Sequence, residues 1–249
     1  MLLLDRHRRL VKTISFGERT YIGDPFNVVR LFNEKEVDEL CLLDIDATVD
    51  GRAPDLGYLR ELASECFMPL TYGGGLISLE QCRRLNRQGI EKFVLGTSAT
   101  NGTLVTNLGK EFGAQAVVVC IDYQGRGEQA WCVVRSGQEN VHLTPLELAT
   151  KVEDEGAGEI LLQSVDRDGV REGMDLPLIQ AVANKISVPL IAAGGALGVT
   201  HLVEALKAGA SAAASGSAFC FLGRLRAVLI SYPSRHEIDQ LTAPERRAL

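Results

Sequence analysis

The chain has 249 residues, 46% of them hydrophobic and 23% charged, with a formal net charge of −6. That acidic balance excludes a basic nucleic-acid face, and no apolar run reaches the roughly 20 residues that span a bilayer. Cys41, Cys66, Cys82, Cys120, Cys132 and Cys220 are scattered, with no CxxC and no metal-like pairing with the four histidines, so they read as reduced, buried thiols of a cytosolic protein.

In chain order, Leu10 to Thr13 reads as the first complete strand, and Met1 to Leu4 as the stub of an earlier one, from a late start or a clipped chain. Residues 13 to 24 read as a flexible first loop. Leu40 to Ile45, Pro69 to Tyr72, Phe93 to Leu95, Val117 to Ile121, Ile160 to Leu162 and Pro189 to Ala192 are unalternated and apolar, as strands buried on both faces are in a parallel sheet. Helical periods lie between them, as in Leu79 to Gln88 and Thr200 to Ala208, each closing on a glycine, Gly89 or Gly209. The tail from 226 onward includes Ala243 to Arg247, where helical periodicity fades and disorder is expected.

Strand and helix alternating without a break leave doubly wound and barrel folds. An internal repeat decides for the barrel. Leu42-Leu43 corresponds to Leu161-Leu162 at a shift of 119, while Gly74 to Gly194 and Gly96 to Gly216 give shifts of 120. The expected fold is α/β, a single-domain (β/α)8 TIM barrel of two similar half-barrels, roughly 1–110 and 111–225, with a truncated first strand.

In such a barrel the loops after the strands form the C-terminal face, where chemistry is placed. Gly73-Gly74-Gly75, Gly96-Thr97-Ser98, Gly194-Gly195 and Gly216-Ser217 fall there in matching register. Glycine lets backbone N–H groups approach a phosphate, and a following helix adds its positive end. Two such cups on opposite sides of the mouth suit an elongated ligand with a phosphate at each end. Asp44, Asp46, Asp122, Asp166 and Asp168 end strands, where partial desolvation raises a carboxyl pKa toward the range useful for proton transfer. Asp122 stands out, alone at the end of a wholly apolar strand.

Gly156 to Leu162 followed by Ser164 to Gly169, with Ala116 to Asp122 and Tyr72 to Gly75, closely resembles the cyclase subunit of imidazole glycerol phosphate synthase, from about Arg9 to about Phe221. The resemblance implies a (β/α)8 barrel with a bis-phosphorylated substrate, ammonia supplied through the barrel by a separate glutaminase partner, and no metal or cofactor. It assigns Asp122 as a principal acid/base, Asp168 and Gly169 as substrate contacts, Lys12 as the lysine of the mobile first loop, and Asp44 as a supporting carboxylate. Gly74, Gly75, Gly96, Thr97, Gly194, Gly195, Gly216 and Ser217 match its phosphate sites. Glu39, Lys92 and Glu159 match three members of a charged ring at the ammonia inlet, whose fourth member, an arginine, would lie upstream of Met1.

Departures from that pattern point further. Leu4 falls where the family carries its first-strand catalytic aspartate, Asp5 is one residue too late and so on the wrong face, Gln163 replaces a threonine, and Gly96 an asparagine. Loss of one acid/base group costs on the order of 10² to 10⁴ in rate. The leucine, together with Ile22 to Pro25, Phe32 to Leu40 and Arg226 to Ser234, resembles a paralogous branch in which the barrel and its own glutaminase supply ammonia for acetamidino-sugar formation in surface polysaccharide synthesis. True cyclase (lyase) activity in histidine biosynthesis is the alternative. A non-catalytic ammonia conduit that activates the glutaminase is a reading of another class, and an isomerase acting on the same intermediate is a third.

Overall fold

A computed structural model of the chain describes residues 1–223 and 225–242; the expectation for Ala243 to Arg247 lies outside them. In chain order the elements are β1 (Leu2–Leu4), β2 (Leu10–Thr13), β3 (Arg19–Gly23), α1 (Pro25–Glu34), β4 (Leu40–Asp44), α2 (Ala47–Asp50), α3 (Leu56–Glu65), β5 (Leu70–Gly73), α4 (Leu79–Asn86), β6 (Lys92–Leu95) and α5 (Thr103–Phe112). There follow β7 (Val117–Gln124), β8 (Trp131–Val134), β9 (Glu139–Asn140), α6 (Pro145–Asp154), β10 (Glu159–Ser164), α7 (Leu176–Ala183), β11 (Leu190–Ala193), α8 (Val199–Lys207), β12 (Ala212–Ala214), β13 (Phe221–Leu222), β14 (Ala227–Val228) and α9 (Arg235–Thr242).

Successive parallel pairings run β1, β4, β5, β6, β7, β10, β11, β12. Between the two ends of that path the Met1 amino group donates to Ser215 O at 3.1 Å. This is the expected (β/α)8 TIM barrel. Its helices start where local chemistry says they should. Ser78 with Gln81, and Thr144 with Glu147, form reciprocal capping boxes on α4 and α6, and Pro145 supplies the pre-set first turn. Gly89 and Gly209 take positive φ beyond α4 and α8.

Two apolar layers hold the barrel. The outer one, between strands and helices, includes Leu2, Leu4, Leu42, Phe93, Val119 and Leu162. The inner one fills the bore with Val94, Val118, Leu161 and Ala193, against which Met1, Cys41, Leu43, Cys120, Ile191 and Ala214 pack. Filling by interdigitating side chains is what makes such a barrel a core rather than a pore.

The structure corrects the first loop. Residues 13 to 24 contain a strand, because Arg19–Gly23 pairs antiparallel with β2, with a register shift at Ile22, and closes a hairpin at the mouth. Arg19 fastens that hairpin with two hydrogen bonds to Asp46, both 2.7 Å. Lys12 therefore lies on a strand and is buried, not on a mobile loop.

The repeat register is corrected as well. Leu43 pairs with Gly73 and Gln163 with Ala193, so the shift in this strand is 120, like that of the glycines. A shift of 119 would match Leu42, in the outer layer, to Leu161, in the bore.

Candidate active site

The ladder builds two matching rows of residues, one in each half, that together ring the top of the bore; the first row runs on from Val94 to Val118, not to Asp122. In the first half Leu3 pairs with Leu43, Leu43 with Gly73 and Gly73 with Val94. In the second Asp122 pairs with Gln163, Gln163 with Ala193 and Ala193 with Ala214. Leu3 thus occupies the place in the first half that Asp122 occupies in the second. This overturns the placement of Leu4 at the missing aspartate: Leu3 lines the mouth, whereas Leu4 sits in the outer layer under the helices. Because side chains alternate along a strand, the one-residue difference decides which leucine meets a ligand.

Above the ring a cavity of about 550 Å³ opens. Asp44, Gly74, Gly75, Gly96, Thr97, Asp122 and Asp168 all line it. A second pocket of about 20 Å³ is lined by Lys12, Asp168, Gly169, Gly194, Gly195, Gly216 and Ser217. Leu3, Thr13, Gln163 and Asp168 border both spaces, so the two sets of glycine turns flank one wall. The backbone at the turns is duplicated closely. A Cβ on Gly74, at φ +124, would lie 2.5 Å from Asp44 O, and one on Gly194, at φ +94, would lie 2.6 Å from Ser164 O. Only glycine fits such an approach.

Neither second turn leads straight into an α-helix, contrary to expectation. Gly96 opens a short 3-10 segment, Thr97–Asn101. After Gly216 the chain makes a hydrogen-bonded turn in which Cys220 N and Phe221 N donate to Ser217 O. The anion-binding capacity of these turns rests on local N–H groups and hydroxyls, without a full helix dipole behind them. The Thr97 hydroxyl accepts from Arg135 N at 3.0 Å.

Burial pushes the Asp122 carboxyl up from 3.8 to about 6; the Cys120 thiol, donating to its Oδ1 at 3.3 Å, opposes that rise, and nearby Asp168 adds to it. Asp168 is also raised by burial, against hydrogen bonds from Thr13 Oγ1 and from Gln163 Nε2 at 3.4 Å. Lys12 reaches in from β2, its Nζ donating to Met1 O at 2.6 Å. Its amine is lowered by burial, with Cys220 and Asp168 opposing. A Cβ on Gly216 would stand 2.7 Å from that Nζ, so the ammonium fills the smaller pocket.

Asp44 is used structurally. It accepts from the backbone N–H groups of Asp46 and Ala47, at 3.2 and 2.9 Å, and from Arg52 at 3.1 and 3.0 Å.

These features coincide with the sequence comparison, in which residues 4–225 match the family described as "Histidine biosynthesis protein". The chain belongs to that family. It is 43% identical over 240 residues to the "Putative imidazole glycerol phosphate synthase subunit hisF2" of Pseudomonas aeruginosa, covering 95% of this chain and 96% of that one. It is 41% identical over 243 residues to a Leptospira interrogans protein of similar description, across 96% of each. It is also 41% identical over 212 residues to the "Imidazole glycerol phosphate synthase subunit HisF" of Exiguobacterium sibiricum, across 85% of each.

In this HisF-like barrel the three expected inlet residues meet at the opposite, N-terminal end. Lys92 Nζ donates to Glu39 Oε2 at 3.0 Å and to Glu159 Oε1 at 2.8 Å, and Thr71 Oγ1 donates to Glu39 Oε1 at 2.6 Å. Burial works against the Lys92 charge, but its hydrogen bonds to the two carboxylates outweigh that and raise the amine pKa.

Sequence reasoning missed the arginines of the mouth. Arg19, Arg52 and Arg135 all line the larger cavity. Arg52 carried a usable signal, since it follows the strand-end Asp44 within the same strand-to-helix connection, just beyond the short helix α2. Arg19 and Arg135 reach the mouth on hairpins whose folding over it no local pattern announces. Among the described residues there is no cluster of His, Cys, Asp and Glu able to hold a metal, and no helix is long and apolar enough to cross a membrane.

Proposed function

We propose that this chain receives ammonia from a separate glutaminase at its Glu39–Lys92–Glu159 end and directs it to an acceptor at the mouth, as the paralogue serving acetamidino-sugar formation in surface polysaccharide synthesis. The single observation that carries the choice is at the top of the bore, where Leu3 holds the place in the first half that Asp122 holds in the second. Cyclisation in the related enzymes, as the resemblance implies, uses two acid/base groups; here one place holds a side chain that cannot exchange a proton. Asp122, poised near neutral pH, is the remaining general acid/base, Asp168 orients the substrate, and the glycine turns hold phosphate. Passage of NH3 requires the bore side chains Val94, Val118, Leu161 and Ala193 to part.

The alternative, cyclase (lyase) activity in histidine biosynthesis, is favoured by the joint presence of Asp122 and Asp168 in the mouth. A non-catalytic conduit that activates the glutaminase is the third reading. The deciding experiment captures candidate glutaminases with the purified chain and assays the pair on the aminoimidazole precursor and on a nucleotide-linked sugar system. Turnover of the imidazole precursor at a rate typical of a biosynthetic enzyme would overturn the sugar-amidation reading. Ammonia-dependent product from the sugar system alone would support it.

A further inference from the structure

We propose that Gln163, together with Asp122, forms a receiving site for ammonia or ammonium where the bore meets the mouth, with Gln163 Oε1 as its selective acceptor. The inference rests on the ammonia-delivery reading above and assigns the residues that would hold the nitrogen on arrival.

Gln163 is 3% exposed. Its Nε2 donates to Asp168 Oδ1 at 3.4 Å, and a carboxylate only accepts, so the amide nitrogen lies on the Asp168 side and the carbonyl is its other end. That Oε1 is buried and has no hydrogen-bond partner. Buried acceptors in folded proteins are nearly always paired, and one left unpaired on a residue that borders both cavities marks a place for a donor. Asp122 is the ladder neighbour of Gln163, about 5 Å away across the sheet. One Asp122 oxygen takes the Cys120 thiol.

Neither nearby side-chain donor meets it: Thr13 Oγ1 is committed to Asp168, and the one hydrogen bond recorded for Lys12 Nζ goes to Met1 O. Opposite, Leu3 and Leu43 offer no hydrogen bond. Below, Val118, Leu161, Ile191 and Ala193 make an apolar bore that favours a neutral species. A phosphate, bringing acceptors to acceptors, is repelled from this spot and goes to the glycine turns. A small molecule that brings N–H donors is what the spot fits.

The test uses the intact chain with ammonium chloride as probe and potassium chloride, at equal ionic strength, as control for charge and size. The ¹³C carboxyl signal of Asp122 is followed by NMR during titration. Ammonium is expected to shift it saturably where potassium does not, and Gln163→Leu is expected to weaken the apparent affinity about threefold to tenfold, the usual worth of one hydrogen bond. Gln163→Glu, which keeps an acceptor, restores binding, and Gln163→Met serves where the leucine variant fails to fold. Equal shifts with potassium, or an unchanged affinity in both apolar variants, would overturn the proposal. Coupling to a glutaminase is measured separately as ammonia released to solution by the pair, so failure of delivery and failure of the receiving site read out in different assays.

Discussion

The two halves of the barrel share a backbone and differ in what they show the mouth. A Cβ added at Gly74 or at Gly194 would meet a neighbouring carbonyl oxygen at nearly the same distance, 2.5 against 2.6 Å. Ile77 N donates to Gln81 Oε1 at 2.8 Å and Leu197 N donates to His201 Nδ1 at 3.2 Å, again 120 positions apart. At the ring below, Leu3 and Leu43 answer Asp122 and Gln163. Where backbone meets backbone a Cβ has no room, so the turns admit one residue type. Where a side chain faces a cavity many types fit, and there the halves part company. The carboxyls that burial raises at the mouth, Asp122 and Asp168, thereby fall in the second half, while Arg19, Arg52 and Arg135 collect on the side of the first-half turns.

The sharpest way to break this comparison is to remove the lone acid/base. Asp122→Asn is expected to lower ammonia-dependent product formation by the assembled pair by about 10² to 10⁴, with glutaminase stimulation unchanged. If product formation persists at the wild-type rate, the second half carries no chemistry and the conduit reading wins.

Next in size is the choice between two leucines. Leu4→Asp places a carboxylate in the outer core and is expected to destabilise by about 3 kcal/mol or more. Leu3→Asp places it at the cavity beside solvent and is expected to cost less than half as much. Urea denaturation of both variants checks the order, and a reversed order would refute the assignment of Leu3 to the mouth. Leu3→Asp also makes the halves chemically alike, and a gain of activity on the aminoimidazole precursor is its expected functional consequence.

The glycines test the shared backbone. Gly74→Ala and Gly194→Ala should each cost on the order of 1–3 kcal/mol, and by similar amounts, in thermal or urea unfolding. A large disparity would show that the near-equal close approaches do not carry equal strain.

What was legible in the sequence followed the same division. Strands such as Val117 to Ile121 and the glycine turns were readable because buried parallel strands and positive-φ turns accept few residue types. Glu39, Lys92 and Glu159, singled out by resemblance, do meet, as two ion pairs that share Lys92. Face parity was not legible. Counting back from Leu10-Val11-Lys12 across a tight turn gives Leu4, whereas the observed register, Leu3 with Val11 and Leu4 with Leu10, turns Leu3 inward. The same kind of slip matched Leu42 to Leu161. Both errors are one residue long, and apolar runs without alternation carry no mark of which face is which. The unpaired Gln163 carbonyl was invisible for a different reason, since orphaned atoms exist only once neighbours are placed.

Acidity separates the halves more gently. Hydrogen bonds from Arg19 hold the Asp46 carboxyl down at about 2, whereas burial lifts Asp122 to about 6, both from 3.8. Asp46 therefore contributes stability that is present above about pH 4 and lost as pH falls through about 2. Its partner Arg19 is 39% exposed at the side chain, which reduces the effect to about 1 kcal/mol. Asp122 runs the other way: its contribution is complete below about pH 4 and is lost as pH rises through about 6, on the order of 2 kcal/mol. Urea titrations between pH 2 and 8 should show Asp122→Asn gaining on the wild type as pH climbs from about 4 to about 6, and Asp46→Asn losing ground as pH climbs from about 2 to about 4, each difference level above its window. Parallel stability curves for wild type and Asp122→Asn would contradict a raised carboxyl.

The smallest expected effect concerns what restrains that rise. The Cys120 thiol donates to Asp122 Oδ1 from the bore, two residues down the same strand. A hydrogen bond to the ionised form favours it, so removing the donor in Cys120→Ala should move the Asp122 titration further up, by about half a pH unit, given that S–H is a weak donor. Cys120→Ser, with a stronger donor in nearly the same place, should move it down. Two groups face that carboxyl besides Cys120: Asp168 from the loop after β10 and Gln163 from β10. Neither substitution touches them. A ¹³C titration of the Asp122 carboxyl in the two variants reads the ordering directly. Shifts of the same sign in both would mean that the thiol acts by filling space in the bore, and that Asp122 owes its elevated pKa to burial alone.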